Sequence, residues 1–187
     1  MTLLIGLALA EEPEAVEEID PALVQAGVEA FEHIYAVSQS PRCQNCHPAG
    51  DAPLQFDEGL PHAMEVTRDL EEVGMSCTTC HAESPVDAAL GARMPPAAPH
   101  WKMPTAAIPM VLEDRTLAEV CAQLSDPAQT AGRTGPLLIH HVENDPLVVQ
   151  TWTPGADRTT PPGTHQDLVD AMQAWVDGGM PCPNPNE

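Results

Sequence analysis

Aromatic side chains are scarce in this chain: its 187 residues include two Phe, one Tyr and three Trp, too few for an ordinary packed centre. Cations are scarce as well. Seven Lys and Arg stand against 28 Asp and Glu, a formal charge of −21, which repels a phosphate backbone and argues against nucleic acid as a partner. A macromolecular partner of such a chain presents a basic face, and its association weakens as salt rises. Long apolar runs are missing too, since MTLLIGLALA at the start is far too short to span a bilayer. No stretch alternates convincingly as a strand does, and there is no coiled coil.

Proline and glycine are plentiful, at 21 and 12 residues, so loops are expected, above all between Pro41 and about Pro109. The passage from MTLLIGLALA into EEPEAVEEID reads as a secretory signal and its cleavage site, without a basic leading region. Residues 1–10 are therefore expected to be a signal peptide, 11–20 an acidic disordered segment and 21–187 a single domain, in the periplasm or outside the cell.

Four helices can be placed from spacing and caps. Asp20 and Pro21 open one to about Val37 with Val24, Val28, Phe31 and Tyr35 inward, leaving His33 exposed. Thr116 and Glu119 form a capping box ahead of Leu117, Val120, Cys121 and Leu124. Thr134 begins TGPLLIHHVEND, where Leu138 and Val142 flank His141. Thr164 begins a helix packing through Leu168, Met172 and Trp175 and stopped by Gly178 and Gly179.

The strongest signal lies in the cysteines. Four of the six fall in CQNCH, Cys43 to His47, and CTTCH, Cys77 to His81. Cys-x-x-Cys-His is the attachment signature of a c-type haem: two thiols bond the porphyrin vinyl groups and the adjacent imidazole binds iron. One helical turn puts both sulfurs on one face and aims the histidine at the metal. Zinc ligation by two Cys-x-x-Cys pairs needs no histidine after either pair, and the 30 residues between the pairs exceed a zinc ribbon's usual ~15–20. A thioredoxin-like site needs a βαβ context, and two disulfides leave the histidines unexplained.

Two covalent haems, through Cys43, Cys46 and His47 and through Cys77, Cys80 and His81, also bear on the missing aromatics. Each macrocycle buries a large apolar face, at ~25 cal/mol per Å², so the cofactors are expected to form the core and the apo chain to be unfolded or molten. The motifs begin 34 residues apart, too close for two tandem single-haem domains, so both haems share one fold.

Opposite each iron the candidates are His62 in GLPHAMEV and His141 on the apolar side of its helix, with His100, Met64, Met94, Met103 and Met110 as alternatives. His140 and His165 carry no signal beyond ordinary polarity. Arg42, Arg68 and Arg158 are natural partners for haem propionates. Cys121 and Cys182, left over in an oxidising compartment, are most simply a disulfide worth ~3–4 kcal/mol in the chain-entropy model. The tryptophans 101, 152 and 175 suit a core or a haem wall.

PRCQNCHPAGDAPLQ, PHAMEVTR, PAAPHW, CAQLSDPAQ, HVENDPLVVQTWTPGADRTTPP and AWVDGGMPCP together resemble the small secreted dihaem cytochromes c of proteobacteria and relatives. Some of these are described as electron-transfer subunits of isoquinoline 1-oxidoreductase-type enzymes. The resemblance makes His62 and His141 the preferred distal ligands and Arg158 a recurrent arginine; the chain departs from the family in PAAPHWKMP. The expectation is a mainly α, compact, loop-rich fold of about four to six short helices with little or no sheet. Its expected function is single-electron transfer between a periplasmic dehydrogenase and a downstream acceptor, with no bond chemistry. The competing classes are a dihaem peroxidase-like enzyme, usually much longer, and a haem-based gas or redox sensor with an open iron site.

Overall fold

A computed structural model describes residues 18–71, 73–83, 95–155 and 158–184. The expected signal peptide, most of the acidic segment and Met94 lie outside the described residues. The fold is mainly helical, with six α-helices among the described residues: α1 Pro21–Ser38, α2 Pro41–Gln44, α3 Leu117–Ser125, α4 Gly135–Asn144, α5 Pro146–Val149 and α6 His165–Asp177. The sheet is one antiparallel pair, β1 Leu54–Gln55 with β2 Leu60–Pro61, in the register Leu54 to Pro61.

The caps form much as their residues dictate. The Asp20 carboxylate accepts from the Ala22 N–H at 2.9 Å, and Thr116 with Glu119 and Thr164 with Asp167 each close a reciprocal capping box. Thr134 precedes α4 but makes no side-chain cap. Hydrogen bonds from the Thr116 backbone and hydroxyl hold the Glu119 carboxyl below its ordinary range, and those from Thr164 do the same for Asp167. A depressed carboxyl pKa contributes stability that is present above the unfolded-state pKa and lost as pH falls through the folded one. Denaturant titrations should accordingly show stability dropping on acidification through that range, and a Glu119→Gln/Asp167→Asn variant should show a flatter decline.

Helices α1 and α6 form the central pair, Phe31 lying against Trp175 with ring centroids 5.2 Å apart. Val120, Cys121 and Leu124 of α3 and Leu138 and Val142 of α4 complete an apolar cluster around them. The inward face of α1 is Gly27, Phe31, Ile34, Val37 and Ser38, rotated from the expected one, so that Val24 and Val28 are only half-buried. His33, expected to be exposed, is half-buried against the turn at Gly163, with its Nε2 shut away from solvent.

Close helix approach depends on missing side chains. A Cβ at Gly178 would stand 2.6 Å from the Leu23 carbonyl oxygen on α1. Backbone cannot yield as a side-chain tip does, so Gly178→Ala should cost about 1–3 kcal/mol by forcing the helices apart, read by chemical denaturation.

The disulfide joins Cys121 on α3 to Cys182 in the C-terminal tail, with Cα atoms 5.6 Å apart. Cys121 is fully buried within the apolar cluster, so the bridge pins the tail to the core. This core also corrects an expectation. The helical frame packs around protein side chains, with six aromatics used sparingly and Phe31 and Trp175 both fully buried at its centre. What lacks a core of its own among the described residues is the loop-rich stretch that carries the two Cys-x-x-Cys-His motifs, where Phe56, Leu60, Met64, Val73 and Met75 are all exposed.

Candidate haem sites

Both Cys-x-x-Cys-His motifs fold into the same turn. In each, the second cysteine's N–H donates to the first cysteine's carbonyl at 3.2 Å, and the histidine N–H donates to that same carbonyl at 3.0 Å. The first motif grows out of α2, which Pro41 starts directly after α1; the second is a 3₁₀ turn, Cys77–Thr79, capped by the Ser76 hydroxyl. None of the four thiols is in a disulfide. The two turns are neighbours, since the charge of Cys77 is felt at Cys46; burial first, then the adjacent Cys43 and Cys77, pushes the Cys46 thiol up to about 12.

Their settings differ. The first motif docks on the helical frame, where His47 offers its backbone carbonyl to the Leu112 N–H at 2.9 Å. Burial, with lesser contributions from His141 and Arg68, lowers the His47 imidazole to about 4, so it is neutral. The second motif is shallower: Thr78, Thr79 and Cys80 are exposed. His81 is half-buried, and its ring stacks on Trp101 at 4.3 Å, 7° from parallel. Burial lowers the His81 pKa, and the charges of His62 and Arg158 add to the shift.

The four imidazoles expected to bind iron share one feature. Nδ1 of His47 lies 2.7 Å from the Met110 carbonyl, that of His81 2.8 Å from the Pro96 carbonyl, and that of His62 2.7 Å from the Ala63 carbonyl. Nδ1 of His141 is 3.1 Å from the Asp145 carboxylate, one helical turn on, and the His141 side-chain hydrogen bond holds Asp145 below the usual carboxylate range. An oxygen that only accepts requires Nδ1–H to donate, which leaves the lone pair of the neutral ring on Nε2. His165 does the reverse: its Nε2 is taken by the Val142 carbonyl at 2.7 Å.

The structure also pairs the rings. The rings of His62 and His81 are neighbours, with centroids 6.2 Å apart and planes 50° from parallel. Two imidazoles on opposite sides of one metal, each with a bond of about 2 Å as on zinc, have centres about 6 Å apart. His141 is near enough to His47 to add to the lowering of its pKa. Among the described residues no three His, Cys, Asp or Glu side chains gather as a metal cluster would require; an iron held by porphyrin needs only two protein ligands, one from each side.

The other candidates lie differently. Met64 is 87% exposed, Met110 serves His47 through its backbone carbonyl, Met103 is half-buried and His100 is exposed. Arg42, 7% exposed, pairs with Asp57, which also accepts the Thr159 N–H at 3.0 Å. Burial opposes the Asp57 charge, but Thr159, Arg42 and Arg158 together hold its carboxyl below the ordinary range. The Arg42 Nε is buried with no hydrogen-bond partner, an orphan donor beside the first motif. Arg158 donates to the Pro154 carbonyl at 2.9 Å. Arg68 gives its terminal nitrogens to the carbonyls of Gly50 at 2.6 Å and Pro104 at 3.1 Å; its Nε lies 3.1 Å from an Asp51 carboxylate oxygen, an ion pair by distance without hydrogen-bond alignment. It clamps the loop after the first motif to the loop before Met110.

Sequence reasoning missed the stacking of Trp101 on His81 and the bridging role of Asp57, neither of which has a local signal. Asp145 was legible as a carboxylate one helical turn from His141. No family model, no curated protein and no solved structure matches this chain. Among the described residues no helix is long and apolar enough to cross a membrane.

Proposed function

We propose that this chain is a periplasmic or secreted dihaem c-type cytochrome that passes single electrons between a donor dehydrogenase and a downstream acceptor. The observation that carries the reading is the shared state of His47, His62, His81 and His141: each engages Nδ1 with an oxygen, and each keeps Nε2 for a metal. The ring spacing favours His81 with His62 on one iron, which leaves His47 and His141 for the other.

Haem, when bound, supplies a reversible one-electron couple at each iron. The residues of the chain hold and enclose it. Cys43 and Cys46, and Cys77 and Cys80, anchor the two macrocycles, and the neighbouring turns keep them close enough for electron exchange. The carbonyls of Met110 and Pro96 fix the orientation and basicity of the proximal rings. Trp101 walls one face of His81. Arg42, with its orphaned Nε, and Arg158 stand beside the motifs as donors for propionate oxygens.

Two histidines on each iron leave no open position, which favours a carrier over a peroxidase-like enzyme or a gas sensor. The disulfide fits an oxidising compartment, and the charge of −21 fits a partner with a basic docking face. The likeness of the haem motifs and their flanks to small dihaem cytochromes c points the same way. The test is the mass and the optical and EPR spectra of the exported protein. Two covalent haems, low-spin and six-coordinate, with no peroxide turnover, are expected; a bare-chain mass, or zinc in place of iron, overturns the reading.

A further inference from the structure

A cleft of about 560 Å³ opens beside His141, lined by that residue, His140, Asp145, Arg133 and, from the loop after Pro96, His100 and Lys102. It gathers two of the chain's seven Lys and Arg and three of its eight His. Its one carboxylate, Asp145, is already occupied by His141 at 3.1 Å and by the Leu147 N–H at 2.9 Å. Lys102 is exposed and has no hydrogen bond or ion pair among the described residues. Arg133 gives Nη1 to the Thr130 carbonyl at 3.1 Å and has donors to spare. His100, a non-glycine residue, holds a left-handed backbone with φ 58, a conformation that functional loops retain.

In a chain with four carboxylates for every cation, an unpaired ammonium and a largely unspent guanidinium lining one concave site form an arrangement that holds an anion. Asp145 and the overall negative charge disfavour a multiply charged phosphate there. They leave a planar, singly charged group, which a guanidinium can grip with two parallel hydrogen bonds.

We propose that this cleft is a carboxylate-binding site in which Lys102 and Arg133 hold a carboxylate beside His141. The carboxylate belongs either to a propionate of the porphyrin carried at His141 or to a small organic acid from solution. The proposal rests on the dihaem reading, and the haem count of the purified protein, taken first by mass, separates failure of that reading from failure of this one.

The experiment uses the holoprotein, dialysed free of small acids, beside a Lys102→Gln/Arg133→Gln variant with the same two haems. If the carboxylate is the porphyrin's own, propionates labelled with carbon-13 shift their carboxylate infrared bands in the variant, and added acetate or succinate changes neither protein. If it comes from solution, acetate or succinate at constant ionic strength lowers the midpoint potential of one haem saturably, by cancelling nearby positive charge. The variant then needs at least about tenfold more acid for half the effect, since each lost charge-assisted bond is worth a factor of that order. Infrared bands unchanged in the variant, together with no saturable response to either acid in the wild type, overturn the proposal.

Discussion

His62→Ala should turn one of the two proposed haems high-spin while the other stays low-spin, and that haem should then bind carbon monoxide or cyanide. The affected haem should be the one attached through Cys77 and Cys80, because His62 stands 6.2 Å, centroid to centroid, from His81. His141→Ala should do the same to the haem of Cys43 and Cys46. The effect is large at the Cys77 and Cys80 site because Met64, the alternative closest to His62 along the chain, is 87% exposed. His165→Ala is the matching control, since its Nε2 already serves the Val142 carbonyl, and it should leave both haem spectra untouched. Wild-type spectra in both the His62 and the His141 variants would remove the assignment of distal ligands.

Cys121→Ser/Cys182→Ser should lower the unfolding free energy by ~3–4 kcal/mol, measured by denaturant titration of the holoprotein. The bridge spans a sequence separation of 61 residues, and it closes onto a buried partner rather than a loop tip. Its loss frees the tail in which the Pro181 carbonyl accepts the Trp175 indole N–H at 2.9 Å, so the centre of the α1–α6 contact loosens with it. The haem spectra should survive, because the bridge joins α3 to the tail and takes no residue from either motif. A stability change within error, with the wild-type bridge shown intact, would mean that the unfolded chain is already compact enough to cancel the entropic gain.

Caps and periodicity were readable from the chain because they are local. Asp20, Thr116 and Thr164 each satisfy backbone donors within three residues, and the helices they open were expected close to where they lie. The turn of each Cys-x-x-Cys-His motif was readable for the same reason, being set by hydrogen bonds to the carbonyl of its first cysteine. The expected face of α1 was slightly off because the packing is decided at Gly27 and Gly178, where absent side chains bring α6 closest. The expectation that cofactors replace the core erred in counting aromatics over the whole chain. Phe31 and Trp175 sit together at the centre of the helical frame, and the poverty falls on the segment between the motifs.

The chain alone determined the identity of the chemistry-bearing groups: two thiols and an imidazole in one turn, twice, with six cysteines and few cations, because those patterns depend on neighbours along the backbone. Which imidazole neighbours which, that Nδ1 of His47 and of His81 is taken by a distant carbonyl, that Trp101 backs His81 and that Lys102 and Arg133 line one cleft with His141 were decided only in three dimensions. These partners lie between 15 and 63 residues apart. No local propensity links them, and only the packing of loops against α1, α4 and α6 brings them within reach.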